Sequence, residues 1–262
     1  MPFHQPDDVC YFTFASLSDA GVRHAAFTRR GGVSPRPWES LNVGGLVGDD
    51  PVRVVENRRR CFQTVGYQPE SMYDVWQVHG DDVICTSAPR PLDVPHRRAD
   101  VILTDRPGVN LFMRFADCVP VFLYDPRRVV VGLAHAGWQG TVKRTVSAAI
   151  VAMHDEYGSN PGDILAGIGP SIGAHHYEVG SDVVGQVRAA FGEDADALLV
   201  SPNGHEHPVQ FDLWAANRLI LEDSGVRHIE LAGLCTACHP EDWFSHRGEK
   251  GQTGRFGVLI GL

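Results

Sequence analysis

No stretch of this 262-residue chain approaches the roughly 18 consecutive apolar residues of a membrane-spanning helix. Residues 1–14 also lack a charged segment followed by a long apolar core, so no secretory leader is read and no membrane partner is expected. A disulfide framework is missing too. The six cysteines, at positions 10, 61, 85, 118, 235 and 238, are scattered, which points to a reduced, cytoplasmic setting. Excess positive charge is absent: the formal net charge is −9, which argues against a nucleic-acid partner held by a chain-wide basic surface. Arg29-Arg30 and Arg58-Arg59-Arg60 remain as local basic groups, although an arginine run is more often a solvated helix face. No repeat, low-complexity tract or separating linker stands out, so residues 1–262 are expected to form one domain.

What is present is ordinary globular text. A hydrophobic share of 43% beside 21% charged residues is enough to bury a core. Strands are expected at 11–14, 25–28, 101–103, 111–113, 119–124, 129–133, 164–168 and 258–260. Asp125-Pro126-Arg127 reads as a turn joining two of them into a hairpin. A helix is expected over 51–65, with Asp49 or Asp50 as its cap and Pro51 in the first turn. Further helices are expected over 140–157, capped by Thr141, and over 181–191 and 213–224. Residues 88–98, with three prolines, read as a loop. Strands and helices alternate only partly, so the class expected is mixed α/β (α+β), with mixed sheets flanked by helices.

Three short segments carry chemistry: Gln77-Val78-His79-Gly80, Ala116-Asp117-Cys118-Val119-Pro120 and Ala134-His135-Ala136-Gly137-Trp138. Each places one metal ligand or reactive group where an apolar run meets small residues. A thiolate with two imidazoles suits zinc and leaves a fourth position open, so His79, Cys118 and His135 read as a catalytic metal site or a Cys-His site. Taken singly, each would more often be a packed core residue. Asp117 could orient an imidazole or move a proton, but adjacent strand residues point to opposite faces, which favours a structural role. Arg29, beside Gly31-Gly32, offers donors for phosphate or carboxylate, with a surface turn as the plainer reading.

Other matches read as coincidence. Gly169-Pro170-Ser171-Ile172-Gly173 has the spacing of a nucleophile elbow but no helix-starting text after it. Cys235-Thr236-Ala237-Cys238-His239 has haem-attachment spacing without an export signal, leaving a redox pair as the lesser reading. Gly167-Ile168-Gly169 begins a dinucleotide fingerprint that Ile172 breaks. His175-His176, His205 and His207 read as exposed loop histidines.

The ordered motifs resemble the YfiH/laccase-domain family, whose members are also called polyphenol oxidases, peptidoglycan-editing factors or purine nucleoside phosphorylases. Besides the three segments, they include Thr28-Arg29-Arg30-Gly31-Gly32, Ser40-Leu41-Asn42-Val43-Gly44, Gly48-Asp49-Asp50 and Glu56-Asn57-Arg58. Tyr177-Glu178-Val179-Gly180, Cys235-Thr236, Phe244-Ser245 and Thr253-Gly254-Arg255 continue the match. The chain departs from the family pattern at Gln139 and at His246-Arg247-Gly248, where the family carries arginines. The resemblance implies a YfiH-like fold. It marks His79, Cys118 and His135 as the metal and catalytic residues, and Arg29 and Asn42 as substrate contacts. It further implies a zinc-dependent monomer acting on nucleoside and phosphate: phosphorolysis of adenosine, inosine and 5′-methylthioadenosine, with adenosine deamination. Copper-dependent polyphenol oxidation is the alternative within the family name, but the sequence lacks the dense histidine motifs of a multicopper centre. A metal-free Cys118-His135 hydrolase acting on peptidoglycan precursors or an amide, and a non-catalytic editing or scaffold protein of cell-wall assembly, are the readings outside it.

Overall fold

The computed structural model describes residues 2–201 and 209–262. Two six-stranded sheets stack face to face and helices cover both outer faces. The mixed class expected from the sequence is the one that forms.

The first sheet runs in the order Phe3–His4, Tyr11–Phe12, Arg23–Phe27, Phe256–Gly261, Asn110–Phe115, Met72–Tyr73, antiparallel until the last pairing. The second runs His228–Leu231, Leu165–Ile168, Val119–Asp125, Val130–Ala136, Val101–Thr104, Val83–Cys85, antiparallel in its centre and parallel at both edges. Glu178–Val179, Val209–Phe211 and Leu199–Val200 form a small third sheet.

Side-chain alternation sorts each strand between two cores. Leu111, Met113 and Phe115 face the space between the large sheets, while Phe112 faces the helix Pro51–Thr64. Phe122 and Tyr124 likewise point between the sheets, and Val119, Val121 and Leu123 point to the helices Thr145–Tyr157 and Leu213–Asp223. Burying each such side chain stabilises the fold by roughly 1.5–3 kcal/mol, so a slip of one residue would turn an entire strand inside out at large cost.

Local chemistry sets the element ends. Asp50 accepts a hydrogen bond from the Val52 amide and Pro51 occupies the first turn, so Pro51–Thr64 starts where the sequence indicates. Asp125 accepts from the amides of Arg127 and Arg128 and closes the hairpin that pairs Val119–Asp125 with Val130–Ala136.

Four expectations are corrected. The helix expected over 140–157 is two: Trp138–Val142 and Thr145–Tyr157, separated at Arg144, which adopts a left-handed φ of 60°. Thr141 does not cap it but is buried, its hydroxyl accepting from Asn217. The strand expected over 11–14 stops at Phe12 and is followed by the short helix Ala15–Asp19, whose N-terminal amides are held by Glu230. Val129 lies outside its strand at φ 56°. Residues 88–98 do form a loop, but Arg90 anchors it by donating to buried Asp74 at 2.7 Å. Among the described residues, no helix is long and apolar enough to cross a membrane.

Candidate metal centre

His135 lies near the end of Val130–Ala136, on the face between the sheets, where its ring packs 5.2 Å from Phe115. It pairs across the hairpin with Pro120, two residues beyond Cys118. Cys118 therefore sits at the mouth of the same strand pair. His79 arrives from a bend after the bridge between Trp76 and Arg98. The ligand atoms of His79, Cys118 and His135 all lie within 4.8 Å of one another. His79 is exposed, Cys118 half-buried and His135 buried, so the cluster opens to solvent on the His79 side.

One buried carboxylate organises this cluster. Asp100 accepts from the amides of Val78 (3.1 Å), His79 (3.0 Å) and Gly80 (2.7 Å), and from His135 Nδ1 at 2.8 Å. Holding Nδ1 orients the ring and turns Nε2 toward Cys118. The same bonds hold His79 in a left-handed turn, φ 58°, and Asp117 before Cys118 is left-handed at φ 82°. Such conformations cost on the order of 1–3 kcal/mol each and persist where the surroundings enforce them. The Thr145 hydroxyl adds a restraint by donating to the Gly80 carbonyl at 2.6 Å. A Cβ at Gly137 would lie 2.8 Å from Cys118 Sγ and 3.0 Å from the His79 ring, so glycine is required there.

Electrostatics couple the ligands. Burial alone would push the Cys118 thiol up, but the His135 charge and hydrogen bonds from both histidines lower it to about 6. Burial also acts to lower His135, and the Cys118 charge and Asp100 hydrogen bond outweigh it, raising His135 to about 9. Both shifts run in the direction that favours a thiolate beside an imidazolium. A soft anionic sulfur and two imidazoles, one of them held by a carboxylate, form a donor set that fits zinc. Nearby, Tyr177 is raised by burial and by the Cys118 charge, and the Arg247 guanidinium stacks 5.0 Å from its ring centre. Arg255 is lowered by burial and pulled the other way by Cys118 and Asp117, which places a cation beside the cluster.

Asp117 itself faces elsewhere, accepting from the Thr236 hydroxyl at 2.7 Å and the Arg247 amide at 2.6 Å. Asn42 is buried; it accepts from the Gly44 and Arg255 amides and donates to Asp49. Arg29 donates to the carbonyls of Glu39 and Pro240, pairs with Glu249 at 3.1 Å and stacks on Phe244. It borders an open cleft of about 640 Å³, in whose wall none of the three clustered residues lies. Ser171 is buried, donates to the Gly169 carbonyl and accepts from Trp214, as a loop residue would. His205 and His207 fall outside the described residues.

Reading from sequence missed Asp100, Tyr177, Arg247 and Arg255 as members of the site. Tyr177 and Arg255 sit in the quoted motifs, and Asp100 directly precedes a buried strand, the only local sign of its role.

Residues 23–262 match the family described as multi-copper polyphenol oxidoreductase laccase. The chain belongs to that family. It is 40% identical over 242 residues to a purine nucleoside phosphorylase of Deinococcus radiodurans, covering 92% of this chain and 89% of that protein. It is 39% identical over 243 residues to the purine nucleoside phosphorylase YlmD of Bacillus subtilis, covering 90% and 86%. The crystal structure of YlmD from Geobacillus stearothermophilus superposes with a TM-score of 0.90 at 34% identity, covering 99% of this chain and 98% of that one. The laccase-domain resemblance read from the motifs is thus the family the comparisons find.

Proposed function

We propose that this chain is a zinc-dependent purine nucleoside phosphorylase acting on adenosine, inosine and 5′-methylthioadenosine, with adenosine deaminase activity at the same site. The observation that carries this reading is the open cluster of His79, Cys118 and His135 on Asp100, in a chain whose relatives are named purine nucleoside phosphorylases. His79, Cys118 and His135 would hold the zinc, which would supply Lewis acidity to a bound substrate. Asp100 keeps His135 oriented, and Cys118 serves as the anionic ligand. Tyr177, which feels the Cys118 charge, and Arg247, stacked on its ring, would orient the nucleoside. The donor set favours zinc over copper, because one thiolate and two imidazoles do not supply the many histidines of a multicopper centre.

The phosphate contact is assigned to Arg255. Its Nη1 donates to the Thr253 and Gly254 carbonyls, and its Nε and Nη2 have no protein partner among the described residues. Asn42 acts through it by holding the Arg255 amide at 2.8 Å. Arg29, engaged by Glu249 and backbone carbonyls, shapes the neighbouring cleft.

A second reading follows from the thiolate–imidazolium pair: a metal-free cysteine hydrolase with Cys118 as nucleophile. One experiment separates them. Nucleoside turnover is assayed with and without phosphate, before and after complete chelation. The zinc reading expects phosphate-dependent base release that chelation abolishes and zinc restores. Full turnover by metal-free protein would overturn it and favour the thiol enzyme.

A further inference from the structure

The CxxC turn and the histidine pair, which look unrelated in the sequence, meet in the fold. The ligand atoms of His175, His176, Cys235 and Cys238 all lie within 4.8 Å of one another. We propose that these four side chains form a second zinc site, closed and structural, separate from the cluster of His79, Cys118 and His135.

The backbone has already arranged the ligands. The Cys238 amide donates to the Cys235 carbonyl at 3.2 Å, closing a tight turn that brings the two sulfurs together. The Gly173 amide donates to Cys235 Sγ at 3.2 Å, a bond that stabilises a thiolate. A single 3-10 turn, Ala174–His176, presents two successive imidazoles, and His175 Nε2 lies 3.1 Å from Cys238 Sγ. A Cβ at Gly173 would stand 2.6 Å from His175 Cε1, so only glycine lets the ring lie across this backbone. Reciprocal bonds from the Ser171 amide to Leu234 and from the Thr236 amide to Ser171 clamp the two segments side by side.

Two thiolates and two imidazoles are a tetrahedral zinc set, whose ligand atoms stand about 3.3–3.8 Å apart at ordinary zinc bond lengths. Small side-chain rotations reach that spacing. Binding displaces two thiol protons to solvent and involves no change of oxidation state. With four protein ligands the coordination is complete, so this zinc braces rather than catalyses. What it braces is one wall of the first cluster: Thr236, inside the turn, holds Asp117, and Tyr177 directly follows the histidines.

The test loads reduced full-length protein with zinc alone and measures the metal retained after gel filtration. Wild type is expected to keep about two zinc per chain, and Cys238→Ser and His175→Ala each about one. Cys118→Ser is expected to keep the second equivalent, and its cobalt-substituted form to show sulfur-to-metal absorption from two thiolates. Both second-site positions are exposed, so the variants leave the core intact. The proposal is overturned if Cys238→Ser retains as much zinc as wild type, or if Cys118→Ser retains none. A Cys235–Cys238 disulfide in protein purified without reductant, together with no uptake after reduction, would overturn it equally. None of these results depends on which reaction the first cluster supports.

Discussion

The two His/Cys clusters use similar atoms on different foundations. Cys118 and His135 sit at the mouth of one strand pair and His79 on a bend beside it, and a fully buried Asp100 binds three consecutive amides and one imidazole around them. His175, His176, Cys235 and Cys238 sit on two loops, three of the four exposed, with a backbone clamp but, among the described residues, no carboxylate bonded to them. On the readings proposed above, the first is preorganised and would keep a ligand position open, and the second would be completed by the metal it binds. That contrast underlies the proposed division, with reactive chemistry at the preorganised cluster and bracing at the one that metal must finish.

That contrast breaks most sharply at the sulfurs. Cys118→Ser is expected to cut nucleoside turnover by about 10³-fold, several kcal/mol of lost transition-state stabilisation, together with the first zinc equivalent. Steady-state kinetics beside metal analysis checks it, and unchanged kcat would remove the cysteine from the mechanism. Arg255→Ala should raise the KM for phosphate by roughly 10–100-fold, the worth of a hydrogen bond to a charged group, with little change for nucleoside. Arg29→Ala should not show that selectivity; the reverse pattern would return the phosphate contact to Arg29.

Asp100→Asn tests the foundation rather than the ligands. Zinc affinity at the first cluster should fall about 10–100-fold, while the second equivalent is retained. Equal losses at both clusters would mean that Asp100 supports the fold as a whole. The smallest effect is a difference in pH dependence in metal-free protein. Burial opposes the Cys118 thiolate, but the His135 charge and hydrogen bonds bring its pKa down to about 6, whereas burial and neighbouring Cys235 hold Cys238 above its ordinary value. Alkylation of Cys118 should therefore rise as pH increases through about 6 and level off by neutrality, and Cys238 should react only in more alkaline solution. Peptide mapping of labelled protein at several pH values resolves the two, and identical profiles would contradict the ion pair.

Elements with strong local signals were legible. Asp50-Pro51 marked a helix start and Asp125-Pro126 a hairpin, because capping and turn chemistry act within three or four residues. The helix break at Arg144 was hidden, since its left-handed backbone serves a tertiary contact between Thr145 and Gly80, 65 positions apart. The three clustered ligands could be picked out because each stands in a distinctive segment. Asp100 could not, because a lone carboxylate before a strand looks like any polar boundary until its four donors converge. Cys238 and His175, 63 positions apart, were each discounted for the same reason: no local pattern reports a meeting made by two loops.

The pairing of Pro120 with His135 has a consequence for how this protein could be followed as it forms. Because side chains alternate along a strand, a hairpin shifted by one residue would carry His135 into the helix-facing layer and leave Cys118 without its partner. Mispaired chains would then be unable to capture the ion, however compact they were. Metal uptake at the first cluster, followed in refolding Cys238→Ser protein so that the second site does not contribute, thus becomes a gauge of correct strand alignment, reporting the fraction of molecules whose central hairpin has closed in its native frame.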